Sequence, residues 1–352
     1  MQKKRNDDVA KISSSNVTCE AFLKRFWHPI LPVKELKASP LEVSFIGDLL
    51  VLWRDSSGKV NAHENRCLHK SAKLSNGWLS SAGNLTCPYH GWEYDSGGHC
   101  INIPQSVNNV KFANLSCLKQ YLCIEHVGYI WVAEDSPLST IPPFPEHDDN
   151  SYRFFKQWPD EVWSTSPVRI IENDLDSAHI AFVHRNSFGI NDEPEPALFD
   201  SLHETDYGFT GDRLMRVKNA GLGPKVTGVN APYTTRHSVT SWYLPYTIKI
   251  DINYPESGVK HVIYKTAVPI GGDKCILVRW LFRNEKSYQC SIEDLVTFER
   301  TIVDEDKTII ESTIPTDCVG RITAFENNMP SDKPGNIMRR RLNKSYHQFI
   351  IS

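Results

Sequence analysis

Long apolar runs are missing from this 352-residue chain: no stretch of about 18 consecutive apolar residues occurs, so a membrane-spanning helix is not expected. The opening stretch, Met1 to Lys11, is polar and charged and lacks the apolar core of a secretory signal. An excess of one charge sign is also missing. The 39 Lys and Arg against 42 Asp and Glu leave a net charge of -3, which gives no general reason to expect nucleic acid as a partner. Internal repeats are absent, and so is a nucleotide site. The glycine-rich stretch Gly221 to Gly228 lacks both the third glycine of a dinucleotide fingerprint and the Lys-Ser/Thr of a phosphate loop. Without a secretory context the setting reads as reducing and cytoplasmic, where, among the nine cysteines, paired ones are expected to bind metal rather than form disulfides.

What is present is an ordinary globular composition, 40% hydrophobic and 23% charged, in a chain long enough for two domains. Residues 1–16 are polar with little to bury and are expected to be a disordered lead. From Trp27 onward, short apolar runs such as Val43-Phe45, Leu49-Trp53 and Val60-Ala62 alternate with turn signals, which predicts a small antiparallel β domain over 17–150. Pro137, Pro142, Pro143 and Pro145, followed by the acidic run Glu146 to Asp149, read as a linker. Over 151–352, alternating runs at Ser238-Asn253, Lys260-Val268 and Cys275-Arg283 predict a larger antiparallel sheet, and a helix is expected over Ser291 to Ser312. The basic cluster Arg339-Arg340-Arg341 in the tail reads as solvated surface. The fold class is therefore α+β.

Two constellations carry chemistry. Cys67-Leu68-His69 and Cys87-Pro88-Tyr89-His90 each offer one cysteine and one histidine. Zinc fingers group their cysteines and their histidines separately, whereas a cluster with two cysteines on one iron and two histidines on the other needs this mixed order. The plainer alternative is zinc, or four unrelated residues. The second lies in Ile170 to Arg185, where Asn173, Asp176, His179 and His184 are interleaved with Ile170, Ile171, Leu175, Ile180, Phe182 and Val183. Burying such groups requires a metal or a dense hydrogen-bond network, the plainer case being a core helix with two satisfied histidines. Two histidines and one carboxylate suit an iron with open positions. His179 and His184 are about 140° apart on a regular helix, so a π-bulge or a helix end is expected between them. A distant carboxylate should complete the set. On the late helix both Asp306 and Glu299 fall within the apolar arc of Leu295, Phe298 and Ile302, while Asp304 points away and Glu305 lies near its edge.

Cys67-x-His69-x17-Cys87-Pro88-Tyr89-His90 and the later N-x2-D-x2-H-x4-H stretch resemble the two motifs of Rieske non-heme iron oxygenases, in the terminal oxygenase component. The resemblance implies an N-terminal Rieske [2Fe-2S] β domain and a C-terminal helix-grip (START-like) catalytic domain with an antiparallel sheet. It implies Cys67, His69, Cys87 and His90 as cluster ligands and His179 and His184 as ligands of a mononuclear Fe(II). Glu305-Asp306 resembles the family's Glu-Asp pair, whose aspartate is the third ligand, which favours Asp306. By the same resemblance Asn173 lies near the iron, and Asp176 bridges His179 to the histidine matching His90 in a neighbouring subunit of a homotrimer. Two departures stand out: Lys70-Ser71 replaces a frequent Arg-Gly, and Ala72 and Tyr89 stand where respiratory Rieske proteins carry bridged cysteines.

The implied activity uses dioxygen as co-substrate and electrons from a separate ferredoxin or flavin reductase, with Lys70 and Lys73 placed to help dock an acidic ferredoxin. The expected reaction is hydroxylation or oxidative demethylation of a compact polycyclic or heterocyclic molecule, as in vanillate-demethylase-like and alkaloid-toxin-hydroxylating members. Phe188, Trp242, Tyr243, Tyr246 and Trp280 are the expected pocket wall. The alternatives are ring cis-dihydroxylation, and an electron-transfer protein without oxygenase chemistry.

Overall fold

Short strands broken by turn residues fill the first part of the chain in the computed structural model, which describes residues 19–106, 117–155, 161–284, 290–322 and 324–351. The expected lead over 1–16 lies outside the described residues. Two units are delimited, Met1–Ile141 and Pro142–Ser352. In the first, β1 (His28–Pro32), β2 (Leu41–Phe45), β3 (Asp48–Arg54), β4 (Val60–Glu64), β9 (Gln120–His126) and β10 (Tyr129–Ala133) form an antiparallel sheet in the order β1-β10-β9-β4-β3-β2. Between β4 and β9 the chain builds a smaller sheet, β5 (Trp78–Leu79), β6 (Leu85–Thr86), β7 (Glu93–Tyr94) and β8 (Cys100–Asn102). Val51 and Trp53 of the large sheet pack with Leu74, Leu85 and Tyr94, and Cys67 and Cys87 belong to the same core. That placement fixes both cysteine loops on one scaffold.

In the second unit an eight-stranded antiparallel sheet carries the helices. Its strands are β11 (Arg153–Phe155), β12 (Glu161–Trp163), β13 (Ser201–Thr205), β14 (Gly208–Lys218), β15 (Tyr233–Tyr243), β16 (Thr247–Tyr254), β17 (Val259–Pro269) and β18 (Cys275–Arg283). The order is β11-β18-β17-β16-β15-β14-β13, with β12 also paired to β18. The helices that matter for the site are α1 (Pro167–Leu175), α2 (Ile180–Val183), α3 (Ile292–Ile310) and α4 (Lys333–Ile351). The expected α+β class and the antiparallel catalytic sheet with a long helix are both present. Helix α3 starts on Ser291, whose hydroxyl accepts from Asp294 N, and it buries Leu295, Glu299, Val303, Asp306 and Ile310 toward the sheet.

Several expectations need correction. The run Ser238–Asn253 is two strands, β15 and β16, joined through Leu244–Tyr246. The stretch expected as a linker is partly anchored: Phe144 stacks on Tyr264 at 4.2 Å, and buried Glu146 accepts from Tyr264 at 2.8 Å and from Lys249 at 2.6 Å. The stretch from Pro142 onward belongs to the second compact unit. The tail is a helix, and its arginines are not merely solvated. Arg339 pairs with Glu172 and Glu326, and Arg340 and Arg341 with Glu204. Cys67 and Cys87 are free thiols.

Candidate metal centres

The two cysteine loops close in the same way. Cys67 N donates to Ala72 O at 2.9 Å and Ser71 N to Cys67 O at 2.9 Å; Cys87 N donates to Trp92 O at 2.8 Å and Gly91 N to Cys87 O at 3.0 Å. Each turn needs a residue of positive φ at its corner, supplied by Gly91 at 71° and, unusually for a side chain, by Ser71 at 55°. The thiols of Cys67 and Cys87 are buried, 3% and 1% exposed, and the two imidazoles sit above them nearer solvent. His69 Nδ1 and His90 Nδ1 face one another at 3.1 Å. Trp92 lies parallel to His69 at 4.8 Å, and Tyr94 OH sits 3.1 Å from Cys67 Sγ and accepts from Leu68 N at 3.2 Å. Burial pushes the Cys87 thiol upward, the nearby Cys67 adds to this, and main-chain N–H groups of Tyr89 and His90 oppose it. Two buried thiols beneath two inward-turned Nδ1 atoms fit the donor set of a Rieske cluster. Tyr94 is a neighbour that the motif spacing did not reveal.

In the second unit α1 ends at Leu175 because Asp176 takes an extended conformation, ψ 148°, and its carboxylate accepts from Ala178 N at 3.0 Å and His179 N at 2.9 Å. His179 and His184 then flank the single turn α2. The helix end expected between the two histidines is present, since α2 stops at Val183 and His184 leaves the helical conformation, and a further break, at Asp176, precedes His179. Gly189 closes the segment by donating to His184 O at 2.8 Å, and a Cβ there would meet Ile180 O at 2.1 Å.

His179, His184 and Asp306 come together, their ligand atoms all within 4.8 Å of one another. His179 Nδ1 lies 3.2 Å from Asp176 Oδ2, and His184 Nδ1 lies 2.9 Å from Glu305 Oε2. Both Nε2 atoms are thereby turned toward Asp306 Oδ1, at 3.7 Å from His179 and 3.2 Å from His184. That buried oxygen makes no aligned hydrogen bond, so the three atoms surround a shared centre rather than satisfy one another. Carboxylates behind each histidine and an unmatched oxygen in front fit a two-histidine, one-carboxylate ion site. Burial acts to raise the Asp306 carboxyl, but His184 first, then Lys265 and His179, hold it down at about 2. Glu299 is engaged elsewhere, 2.6 Å from Arg279 and 3.3 Å from His261, which separates the two candidates that helix geometry left open. Asn173 lines the cavity beside these groups and also the groove along Glu172 and Arg339. Glu305, placed only near an arc edge by the sequence, is the partner of His184 and also accepts from Ser187 at 2.8 Å.

The cavity over this site is not the aromatic wall expected. Phe188 lines it, stacked on His184 at 4.7 Å, but Trp242, Tyr243, Tyr246 and Trp280 do not. Tyr243 and Trp280 have the opposite strand parity, Tyr243 stacking on Tyr207 and Trp280 packing on Phe144. Trp242 donates to Pro245 O, and Tyr246 OH to Cys318 O. Ile250, Ile252 and Ile263 form the wall instead, with Arg213, Arg236, His261, Lys265 and Arg279 among them. The missed signal was charge at inward strand positions. Because β17 is buried on both faces, alternation there does not reveal which face is which.

Comparison with known proteins agrees with this geometry. Residues 26–121 match the Rieske [2Fe-2S] domain, and residues 163–348 match the vanillate O-demethylase oxygenase C-terminal domain. Methylxanthine N1-demethylase NdmA of Pseudomonas putida is 30% identical over 84% of this chain and 82% of its own length. Methylxanthine N3-demethylase NdmB of the same organism is 30% identical over 89% and 87%. The structure of NdmA with caffeine superposes with a TM-score of 0.75 at 25% identity, covering 93% of this chain and 92% of that one. Dicamba monooxygenase bound to dicamba shares the fold at 20% identity and a TM-score of 0.71, over 94% and 99%. The chain therefore belongs to the Rieske oxygenases, an enzyme whose Rieske domain is followed by a catalytic domain of the vanillate O-demethylase type.

Proposed function

We propose that this chain is the oxygenase component of a system that hydroxylates, or oxidatively demethylates, a compact polycyclic or heterocyclic small molecule. The observation that supports it most is the convergence of His179, His184 and Asp306 on a cavity whose lining mixes isoleucines with charged side chains. With metal bound, the cluster would supply single electrons and the mononuclear iron would activate dioxygen. Cys67, His69, Cys87 and His90 would hold the first, and His179, His184 and Asp306 the second. The protein's own part is orientation. Asp176 and Glu305 hold the two imidazoles with Nε2 forward, and Phe188 fixes the plane of His184. Ile180, Ile250, Ile252 and Ile263 exclude water from the space in front of them.

Family membership also supports an electron donor outside this chain, a ferredoxin or flavin reductase. Lys70 remains available to help dock it, whereas Lys73 is engaged by Glu42 at 2.8 Å. Domain roles follow the matched segments, with the cluster held before Ile141 and the iron after Pro142. The test is turnover of a heterocycle library with a surrogate reductase under labelled dioxygen. One labelled atom in a hydroxylated product, or formaldehyde release, is expected. Two labelled atoms in a cis-diol would replace this reading with dihydroxylation. Two irons per chain instead of three would leave only an electron carrier.

A further inference from the structure

At the end of α1 a second cavity, of about 200 Å³, adjoins the one over the iron ligands. Its interior is walled by Leu175, Ala197, Phe199, Leu202, Pro330 and Pro334, and the exposed residues Leu198, Asp200 and Lys333 mark its mouth. Leu175 and Ser177 line this side cavity, whereas Asp176 between them lines the catalytic one. Arg213 lines both. What separates the two spaces is therefore the chain at residues 175–177 and one guanidinium.

Arg213 alternates with Met215 and Val217 on the inward side of β14 and is only 3% exposed. For so buried a cation it is loosely held. It reaches the carbonyls of Leu175 at 3.3 Å and Asp174 at 3.5 Å, lengths at which a hydrogen bond is weak. Its Nε is buried with no hydrogen-bond partner among the described residues. Its guanidinium carbon rests 4.8 Å from the centroid of Phe199, on the side-cavity wall. A rotation of this one side chain off the ring joins the two spaces.

Size and chemistry select the guest. Pockets for organic ligands run to about 300–1,000 Å³, so the side cavity takes something smaller. Its inner wall is aliphatic and aromatic, and the Ser177 hydroxyl is already spent on Ala197 O at 2.8 Å, which favours an apolar guest. An organic substrate seated against Ile250, Ile252 and Ile263 would fill the space in front of His179, His184 and Asp306. The second substrate of an oxygenase is a small apolar gas, and it has to arrive after that space is taken.

We propose that the side cavity is the route by which dioxygen reaches the iron site, entering past Leu198 and crossing where Arg213 swings off Phe199. The proposal rests on the oxygenase reading above and deepens it, giving the gas an entry separate from that of the organic substrate.

Two measurements on the full-length chain test it. Crystals under xenon pressure should show xenon in the side cavity, and a side cavity without xenon overturns the proposal. In anaerobic protein loaded with cluster and iron, stopped-flow mixing with nitric oxide, a stand-in for dioxygen at Fe(II), should associate at least two-fold more slowly in Ala197→Trp, which plugs the interior. Leu202→Trp fills the same space from β13 and serves if the first plug costs the protein its iron. Arg213→Ala thins the partition and should raise the rate at least two-fold. A smaller fall in the plugged protein overturns the route, and a smaller rise in Arg213→Ala overturns the role of Arg213. Iron is counted in the same samples. Three irons per chain with an unchanged rate defeats the route alone, whereas two irons defeats the oxygenase reading beneath it.

Discussion

Asp306 is the residue on which the catalytic half of the molecule turns, because its Oδ1 is buried without an aligned partner and faces both Nε2 atoms. Asp306→Ala should abolish mononuclear iron binding while the visible spectrum of the cluster persists. Iron analysis beside an absorption scan decides it, and full iron occupancy in the variant would falsify the assignment. A different kind of residue governs acid sensitivity. Burial pushes the His28 imidazole down to about 4, against the bond to Leu23 O that favours its charge. The unfolded chain binds that proton near pH 6.5, so the neutral ring contributes its full stability above that pH and loses it as pH falls toward 4. The loss is at most about 3 kcal/mol for a shift of this size. Urea midpoints should therefore drop between pH 6.5 and 4.5, and His28→Gln should flatten the drop. An acid limb of the same slope in the variant would point to other groups.

Among elements, the two cluster loops share one closure but differ at the corner residue, Gly91 in one and Ser71 in the other. A serine held in the left-handed region costs about 1–2 kcal/mol, partly offset in glycine by its greater unfolded freedom. Ser71→Gly should raise stability by up to about 1 kcal/mol with the cluster spectrum unchanged, read from denaturant midpoints of the loaded protein. A loss of stability would show that the hydroxyl matters more than the backbone. This serine was legible in the sequence as a departure from the family's Arg-Gly, whereas its φ was not. The same division runs through the other elements. Cys67, His69, Cys87, His90, His179 and His184 stand in short local spacings, and the structure brings each set together. Arg236, Lys265 and Glu305 meet the site only through strand register and helix packing, which a linear pattern does not contain. Helix α4 was missed for a related reason. Its buried stripe is only Pro334, Met338, Leu342 and Tyr346 with Gly335, too narrow to stand out against the basic cluster.

At the scale of the whole molecule, the family resemblance implies an electron route between chains. Asp176 accepts from two main-chain N–H groups and contacts His179, and it retains exposed surface, as a link to His90 of the partner subunit would require. Asp176→Asn should keep both metals yet lose most turnover, and product formation per enzyme should fall on dilution to monomers, followed by light scattering beside the assay. Undiminished activity in either case would remove the intersubunit link. The anchoring of Phe144 and Glu146 was not legible in advance, since both look like linker until the sheet they dock on is known.

The last helix also has a practical consequence. Arg339 clasps Glu172, one residue before Asn173 on the helix that leads into Asp176, and Glu326 from the segment between. These final turns act as a splint on the catalytic strut. Truncating the recombinant protein from Lys333 onward should therefore loosen iron retention far from the cut, and a purification handle belongs at the other terminus.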